Sequence, residues 1–246
     1  MEYVERTYRK LHRQQDLIHF QVAVKETDLD VAVQRQCFNS ELVELTKALI
    51  EKYRNQLEKY IAIDPEYATT LQPHPVLPEA PPMVIQMAEA AKLAGVGPMA
   101  AVAGAFSQLI GNELLRHSDE VIIENGGDIY ICCQKSRCIG IFAAQSPFTN
   151  RIGLEIPAHT PMGVCTSSGT VGHSLSFGKA DAVVVLAPSV MLADAVATSA
   201  ANKVQQVSDL DKAVEYATSI SGVMGAVAVL EDKLAVKGRV KLIPVK

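Results

Sequence analysis

Asp194 and Thr198 stand four residues apart in the stretch Pro188-Ser189-Val190-Met191-Leu192-Ala193-Asp194-Ala195-Val196-Ala197-Thr198-Ser199. If the stretch is a helix, its carboxylate and hydroxyl share one face. Both are hard oxygen donors of the kind that Mg2+ takes. Asp194 is also the only charged residue between Asp181 and Lys203, and a carboxylate in so apolar a setting is costly to bury without a compensating partner. Spacing alone leaves two partners open: a metal ion, or a structural one such as a distant lysine or a backbone N–H.

Two other segments carry groups with chemistry. Glu124-Asn125-Gly126-Gly127-Asp128 holds the Asn-Gly signal of a tight hairpin turn. Its two glycines also let backbone N–H groups approach an anion, while Glu124 and Asp128 suit a metal, a ribose or a base edge. Cys165-Thr166-Ser167-Ser168-Gly169-Thr170-Val171-Gly172-His173-Ser174 is rich in hydroxyls and glycine, and reads either as a phosphate- or sugar-binding loop or as an ordinary connection. His173 is the histidine with other chemistry-bearing residues beside it. His12, His19, His74, His117 and His159 have no such neighbours in sequence and are read as structural. Gly95 to Ala100 mimics a dinucleotide fingerprint but follows a helix, and the run from Gly172 to Lys179 misses phosphate-loop spacing, with Ala180 in the Ser/Thr place.

The elements that must position these residues follow from periodicity. Ser189 can cap the helix that carries Asp194, and the apolar run Asp181–Ala187 before it predicts a strand buried on both faces. Alternation predicts a hairpin of Ile18–Val24 and Asp28–Val33 about a Lys25-Glu26-Thr27 turn. Helical spacing runs from an Asn39 or Ser40 cap to about Tyr60. Six prolines between Asp64 and Pro82 forbid regular structure and predict a surface crossover within one domain. Pro82 starts a helix that Gly95 ends. A further helix covers Pro98–His117, whose thin Ala/Gly face suits tight packing on a sheet. Strands are expected at 120–124, 129–133, 138–143, 153–156 and 163–166. A helix from Ser208 with Asp211 as capping partner follows. Strands at 223–230 and 240–245 close the chain, with 233–236 paired between them. Runs of strands, then helices, then strands predict an α+β fold with mostly antiparallel sheets packed with helices.

Bulk properties exclude several classes. The chain has 246 residues, 48% of them hydrophobic, and a net charge of -4, enough for a large core and against a nucleic-acid or anionic-membrane footprint. A charged amino-terminal stretch and the lack of a membrane-length apolar run predict a cytoplasmic protein. Five cysteines without framework spacing read as reduced and mostly buried.

Taken in order, Asn125-Gly126-Gly127-Asp128, the Ser167-Ser168-Gly169 turn and Ala187-Pro188-Ser189-Val190-Met191-Leu192-Ala193-Asp194-Ala195-Val196-Ala197-Thr198 resemble the ApbE superfamily, whose best-known members are flavin transferases. The last segment resembles that family's Ala-Asp-Ala-x-x-Thr helix and is the most specific. The resemblance spans about residues 95 to 230, and the whole chain is most similar to an ApbE-like branch apart from the exported transferases. It implies a T-fold-like α+β architecture, FAD or FMN as ligand together with Mg2+, and in the transferases movement of FMN onto a Ser or Thr hydroxyl of a protein acceptor. Carried over by position, Asp194 and Thr198 match the metal-binding residues. Asn125, Gly126, Gly127, Asp128, Ser167, Ser168 and Gly169 match residues near the nucleotide. His173 is the loose match to the histidine of a His-Ile-Ile-Asp-Pro-x-Thr-Gly segment, and so the candidate catalytic residue. The family's Gly-Ile-Ala-Lys-Gly appears as Ala101-Val102-Ala103-Gly104-Ala105, without the lysine. Two functions are therefore expected: an Mg2+-dependent transferase that cleaves a dinucleotide pyrophosphate, or a flavin- or nucleotide-binding module without transfer chemistry. Neither needs a nucleic acid or a membrane, and both leave oligomerisation open.

Overall fold

The computed structural model describes residues 14–169 and 177–245. Strands β1 (Leu17–Val24) and β2 (Thr27–Gln34) form the expected hairpin, with Lys25 turned to φ 53°. Helix α1 (Ser40–Ile63) starts where Asn39 accepts a hydrogen bond from the Leu42 N–H at 2.8 Å, which satisfies one of the free donors of its first turn. Its apolar stripe of Leu42, Leu49, Ile50, Tyr53, Leu57 and Tyr60 is buried.

The proline-rich stretch departs from expectation, because it contains a short helix, α2 (Glu66–Thr69). The interval between Pro65 and Pro73 is free of proline, and Pro65 itself holds φ -63° at the helix start. Tyr67 in this turn is fully buried and donates to the Val84 carbonyl at 2.9 Å. Helix α3 runs Pro82–Ala94 and ends at Gly95 in the left-handed conformation, φ 68°. Pro98–Ala101 is a 3-10 turn rather than α-helix and leads into α4 (Val102–Leu114).

The remaining elements are β3 (Val121–Asn125), β4 (Asp128–Cys132), β5 (Arg137–Gly140), β6 (Ile152–Ile156), β7 (Met162–Ser167), β8 (Ala182–Ala187), α5 (Val190–Ala201), α6 (Leu210–Ser219), β9 (Gly225–Leu230), β10 (Lys233–Gly238) and β11 (Leu242–Pro244). One antiparallel sheet of eight strands has the order β1-β2-β3-β4-β7-β8-β9-β10, and a second of three has the order β11-β6-β5. The mixed α+β class with antiparallel sheets thus holds. Two segments differ. β10 pairs with β9 alone, while the chain end joins β6 in the small sheet, so 233–236 is not sandwiched between two strands. Helix α6 is preceded by a 3-10 turn (Val207–Asp209), and a capping box of Gln206 and Asp209 starts that turn, in place of the expected Ser208 and Asp211.

Alternating side chains of the large sheet feed two cores. Val31, Ile123, Tyr130, Cys165 and Val185 pack under the helices, while Ile122, Ile131, Val164, Val184 and Val227 pack against Ile139, Leu154 and Ile156 of the small sheet. The result is three layers with the large sheet in the middle, which is why β8 is buried along its whole length. The sheet order also shows two similar halves, each a hairpin, a helical excursion and a second hairpin, meeting where β4 pairs with β7. No such repeat is visible in the sequence, because the halves share a strand-and-helix order rather than residues.

The five cysteines are free thiols. Burial pushes the Cys133 thiol up to about 12. No single helix among the described residues is long and apolar enough to cross a membrane.

Candidate functional site

The site lies at the junction of the two halves, where α4 of the first crosses α5 of the second. Gly104 makes the crossing close: a Cβ there would lie 2.6 Å from the Val190 carbonyl oxygen and 2.9 Å from the Asp194 Cβ. The thin face of α4 therefore admits another helix, not only the sheet beneath it.

At the crossing each helix caps the other. Asp194 Oδ2 accepts from the Gly104 N–H at 2.8 Å, and the Ala103 N–H also points to this carboxylate. Gln108 Oε1 in turn accepts from the Val190 N–H at 2.6 Å and lies 3.4 Å from the Met191 N. Ser189 Oγ accepts from the Leu192 N–H at 3.3 Å, as its position predicts. Of the two partners that spacing left open for Asp194, the backbone N–H is present, as the cap of a neighbouring helix. Gln108 was not legible in sequence, since nothing local connects it to a helix some eighty residues away. Removing the cap with Gln108→Ala is expected to cost about 1–2 kcal/mol, read as a lower urea midpoint, with Gln108→Glu recovering most of the loss.

Beneath the crossing, Asp128 of β4 is the register partner of Cys165 of β7. By strand alternation Asp128, Cys165 and Ser167 all face the helices. Burial raises the Asp194 carboxyl well above the usual carboxylate range, and the nearby Asp128 charge raises it further. The N–H groups of Gly104 and Ala103 pull the other way without overcoming this. The Cys165 thiol is raised by burial and then by both carboxylates, and it donates to the Val190 carbonyl at 3.5 Å. It is therefore a protonated packing group rather than a nucleophile. Ser167 is buried, and its Oγ has no hydrogen-bond partner among the described residues. Thr198 is half-buried, one turn along α5 from Asp194.

Asn125-Gly126-Gly127-Asp128 is a tight turn, with φ 68° at Gly126 and 107° at Gly127. Two successive positive φ values are what a short hairpin of this twist requires. The Gly127 N–H donates to Glu124 Oε1 at 2.7 Å, so this amide is engaged within the turn rather than turned to an anion. The turn is tied to the start of α4: Asn125 Nδ2 donates to the Ala103 carbonyl at 3.2 Å, and Ser107 Oγ donates to the Asp128 carbonyl at 2.9 Å. Ser107 is a second contributor that sequence reading missed. Ser168 Oγ and the Gly169 N–H both reach the Ala180 carbonyl, at 3.4 and 2.9 Å. They form the stem of the Ser-Gly loop, beside the carboxyl-terminal end of α5. His173 and the rest of that loop through Ser176 lie outside the described residues.

The fold and the paired helices over an Asn-Gly-Gly-Asp turn define the class as ApbE-type α+β proteins. Solved structures share the architecture: an apo flavinyl transferase ApbE from Pseudomonas stutzeri, with TM-score 0.60 and 14% identity over 90% of this chain and 94% of its own, and a flavin transferase ApbE from Vibrio cholerae, with TM-score 0.58 and 12% identity over 90% and 96%. The profile of the family described as AbpE bacteria matches residues 9–235, and the chain belongs to that family. Among its relatives are UPF0280 proteins of Methanococcus aeolicus, 38% identical over 91% of both chains, and of Methanocella arvoryzae, 42% identical over 77% of this chain and 78% of its own.

The donors at the site fit a hard dication. The charge of Asp128 disfavours ionisation of the buried Asp194 carboxyl, and Ser167 holds a buried hydroxyl without a partner among the described residues. Among the described residues no group of three or more His, Cys, Asp or Glu side chains is arranged to hold a metal. One or two carboxylates with hydroxyls, completed by water and phosphate oxygens, are the usual surroundings of Mg2+.

Proposed function

We propose that this protein binds a flavin or related nucleotide together with Mg2+ at the α4–α5 crossing, and that it acts as a transferase cleaving a dinucleotide pyrophosphate. The observation that carries the proposal is the burial of Asp194 close enough to Asp128 for one carboxyl to act on the other, with Ser167 on the same face of the sheet holding a buried hydroxyl without a partner among the described residues. Such an arrangement is unfavourable by itself and is relieved by a cation. The flavin transferases that share the fold favour flavin as the nucleotide.

In this reading Asp194 and Thr198 hold the metal, with Asp128 close enough to add charge. Asn125, Gly126 and Gly127 shape the wall beside the nucleotide, and Ser167, Ser168 and Gly169 form the opposite edge. Asn125 and Ser107 hold the turn against the first turn of α4, so that the carboxylates stay in place when the ligand arrives. When bound, Mg2+ would neutralise charge developing on a departing AMP. Transfer then requires an acceptor hydroxyl on another protein, and His173 is the candidate to take its proton. A non-catalytic binding module is the second reading. It is favoured by Ala101–Ala105, which forms the first turn region of α4 without a lysine.

Calorimetric titration of FAD with and without Mg2+ tests the site. Binding that strengthens at least ten-fold with Mg2+ is expected, and no binding under either condition would remove nucleotide from the account. Release of AMP from bound FAD in the presence of a Ser- or Thr-containing acceptor decides between the transferase and the module. A cytoplasmic location is part of the same proposal.

A further inference from the structure

We propose that Phe177 is the stacking platform for a planar heteroaromatic ring of the nucleotide, an inference that rests on the function proposed above. Its side chain is 58% exposed, although its main chain is held at both polar atoms. The Phe177 N–H donates to Asn202 Oδ1 at 2.8 Å, and its carbonyl accepts from Gln205 Nε2 at 2.8 Å. The following residues are clamped as well. A Cβ on Gly178 would lie 1.9 Å from the Ala201 carbonyl oxygen, and a Cβ on Gly169 would lie 2.0 Å from the Gly178 carbonyl oxygen. The Lys179 N–H donates to the Val204 carbonyl at 2.7 Å.

Those contacts place Phe177 between the end of α5 and the Ser168–Gly169 stem, two parts of the candidate site. Asn202, which holds its N–H, is the next turn after Thr198 and donates its own N–H to the Thr198 carbonyl at 3.1 Å. With a rise of about 1.5 Å per residue, Asn202 stands roughly 6 Å along the axis from Thr198 and roughly 12 Å from Asp194. A dinucleotide whose pyrophosphate sits near Asp194 and Thr198 has ring systems on either side at this scale, which matches the separation of the Phe177 edge from those residues.

An exposed phenyl ring on a clamped main chain is costly as surface and useful as a binding face. Little conformational freedom remains to be lost when a second ring settles on it. Phe38, the other exposed aromatic among the described residues, already packs on Phe20 with ring centroids 5.4 Å apart. Phe177 has no ring partner among the described residues. Aromatic stacking is indifferent to the hydrogen-bonding edge of the ring, so both isoalloxazine and adenine suit it, and the test separates them.

The full chain is titrated with FAD, FMN, ADP and inorganic pyrophosphate, each with Mg2+, as wild type, Phe177→Ala, Phe177→Trp and Asp194→Asn. Calorimetry follows all four ligands, and flavin fluorescence quenching follows the first two. Phe177→Ala is expected to weaken ring-bearing ligands about ten-fold while leaving pyrophosphate, Mg2+ dependence and melting temperature unchanged. Phe177→Trp is expected to retain or tighten binding. Loss for FAD and FMN alone assigns isoalloxazine, and loss for FAD and ADP alone assigns adenine. Unchanged affinity in Phe177→Ala, or an equal loss for pyrophosphate, overturns the platform while the Asp194 arm still reports on the site. Failure of the wild type to bind any of the four overturns both.

Discussion

Asp194→Asn is expected to abolish Mg2+-linked nucleotide binding and, at the same time, to stabilise the metal-free protein at neutral pH. The two effects have one cause. Asp194 is buried beside Asp128, and its carboxyl in the folded protein is held well above the usual carboxylate range. The folded protein therefore keeps a proton that the unfolded chain has already released. The stability that Asp194 contributes is fully present below the unfolded pKa and is lost as pH rises through the folded one. An amide in its place does not titrate. Its oxygen can still accept from the Gly104 N–H, and its nitrogen can donate toward Asp128.

The advantage of the variant should grow from about pH 4 upward, because only the wild type must take up a proton on folding. Mg2+ reverses the order. At a hundred times its dissociation constant a bound ion adds about 2.7 kcal/mol to the wild type and nothing to a variant that does not bind it. Melting temperatures at pH 4.5, 6 and 7.5, with and without Mg2+, measure both. A metal-free variant less stable than wild type at pH 7.5 would falsify the charge argument and leave Asp194 as a helix cap.

Gly104→Ala carries the second large effect, and here two principles predict opposite signs. Within a helix, alanine is favoured over glycine by about 1 kcal/mol. The added Cβ, however, falls 2.6 Å from the Val190 carbonyl oxygen, an atom of the backbone of α5 that cannot rotate away. Overpacking of this kind costs about 1–3 kcal/mol. Separating the helices also stretches the Gly104–Asp194 bond at 2.8 Å and the Gln108–Val190 bond at 2.6 Å, and a buried polar group left unsatisfied costs about 1–3 kcal/mol more. Contact outweighs propensity, so a net loss of about 2–4 kcal/mol is expected, read as a lower urea midpoint at unchanged slope. A midpoint that rises would show that α4 and α5 are not held as tightly as Gly104 implies. Because the same movement shifts Asp194, nucleotide affinity should fall together with stability.

Much of the local structure was legible because it rests on short-range chemistry. Asn39 and Ser189 cap helices as their amide or hydroxyl oxygens dictate, Pro82 and Gly95 bound α3, and Gly126-Gly127 form the turn that only positive φ permits. Each depends on atoms within a few residues of one another. The departures do not have one cause. Pro98–Ala101 is 3-10, β11 abandons the large sheet for β6, and the box of Gln206 and Asp209 caps the 3-10 turn before α6. In the case of β11 the competing partner lies far away in the chain, where periodicity carries no information.

For the candidate site the division is sharper. The family resemblance was carried by Asn125–Asp128, Ser167–Gly169 and the helix with Asp194 and Thr198, and the chain belongs to a family of that kind. What no spacing could supply was who stands beside Asp194. Gly104 comes to it from α4 and Asp128 from β4, across the seam between the two halves, while Cys165 comes from β7 of its own half and Gln108 and Ser107 hold the crossing together. Composition and local pattern suffice for which segments become helices and strands, because hydrogen bonding and burial act along neighbouring residues. The identity of the partners at the α4–α5 crossing, and with it the charge state of Asp194, belongs to tertiary structure alone, because it depends on how closely two distant backbones pack.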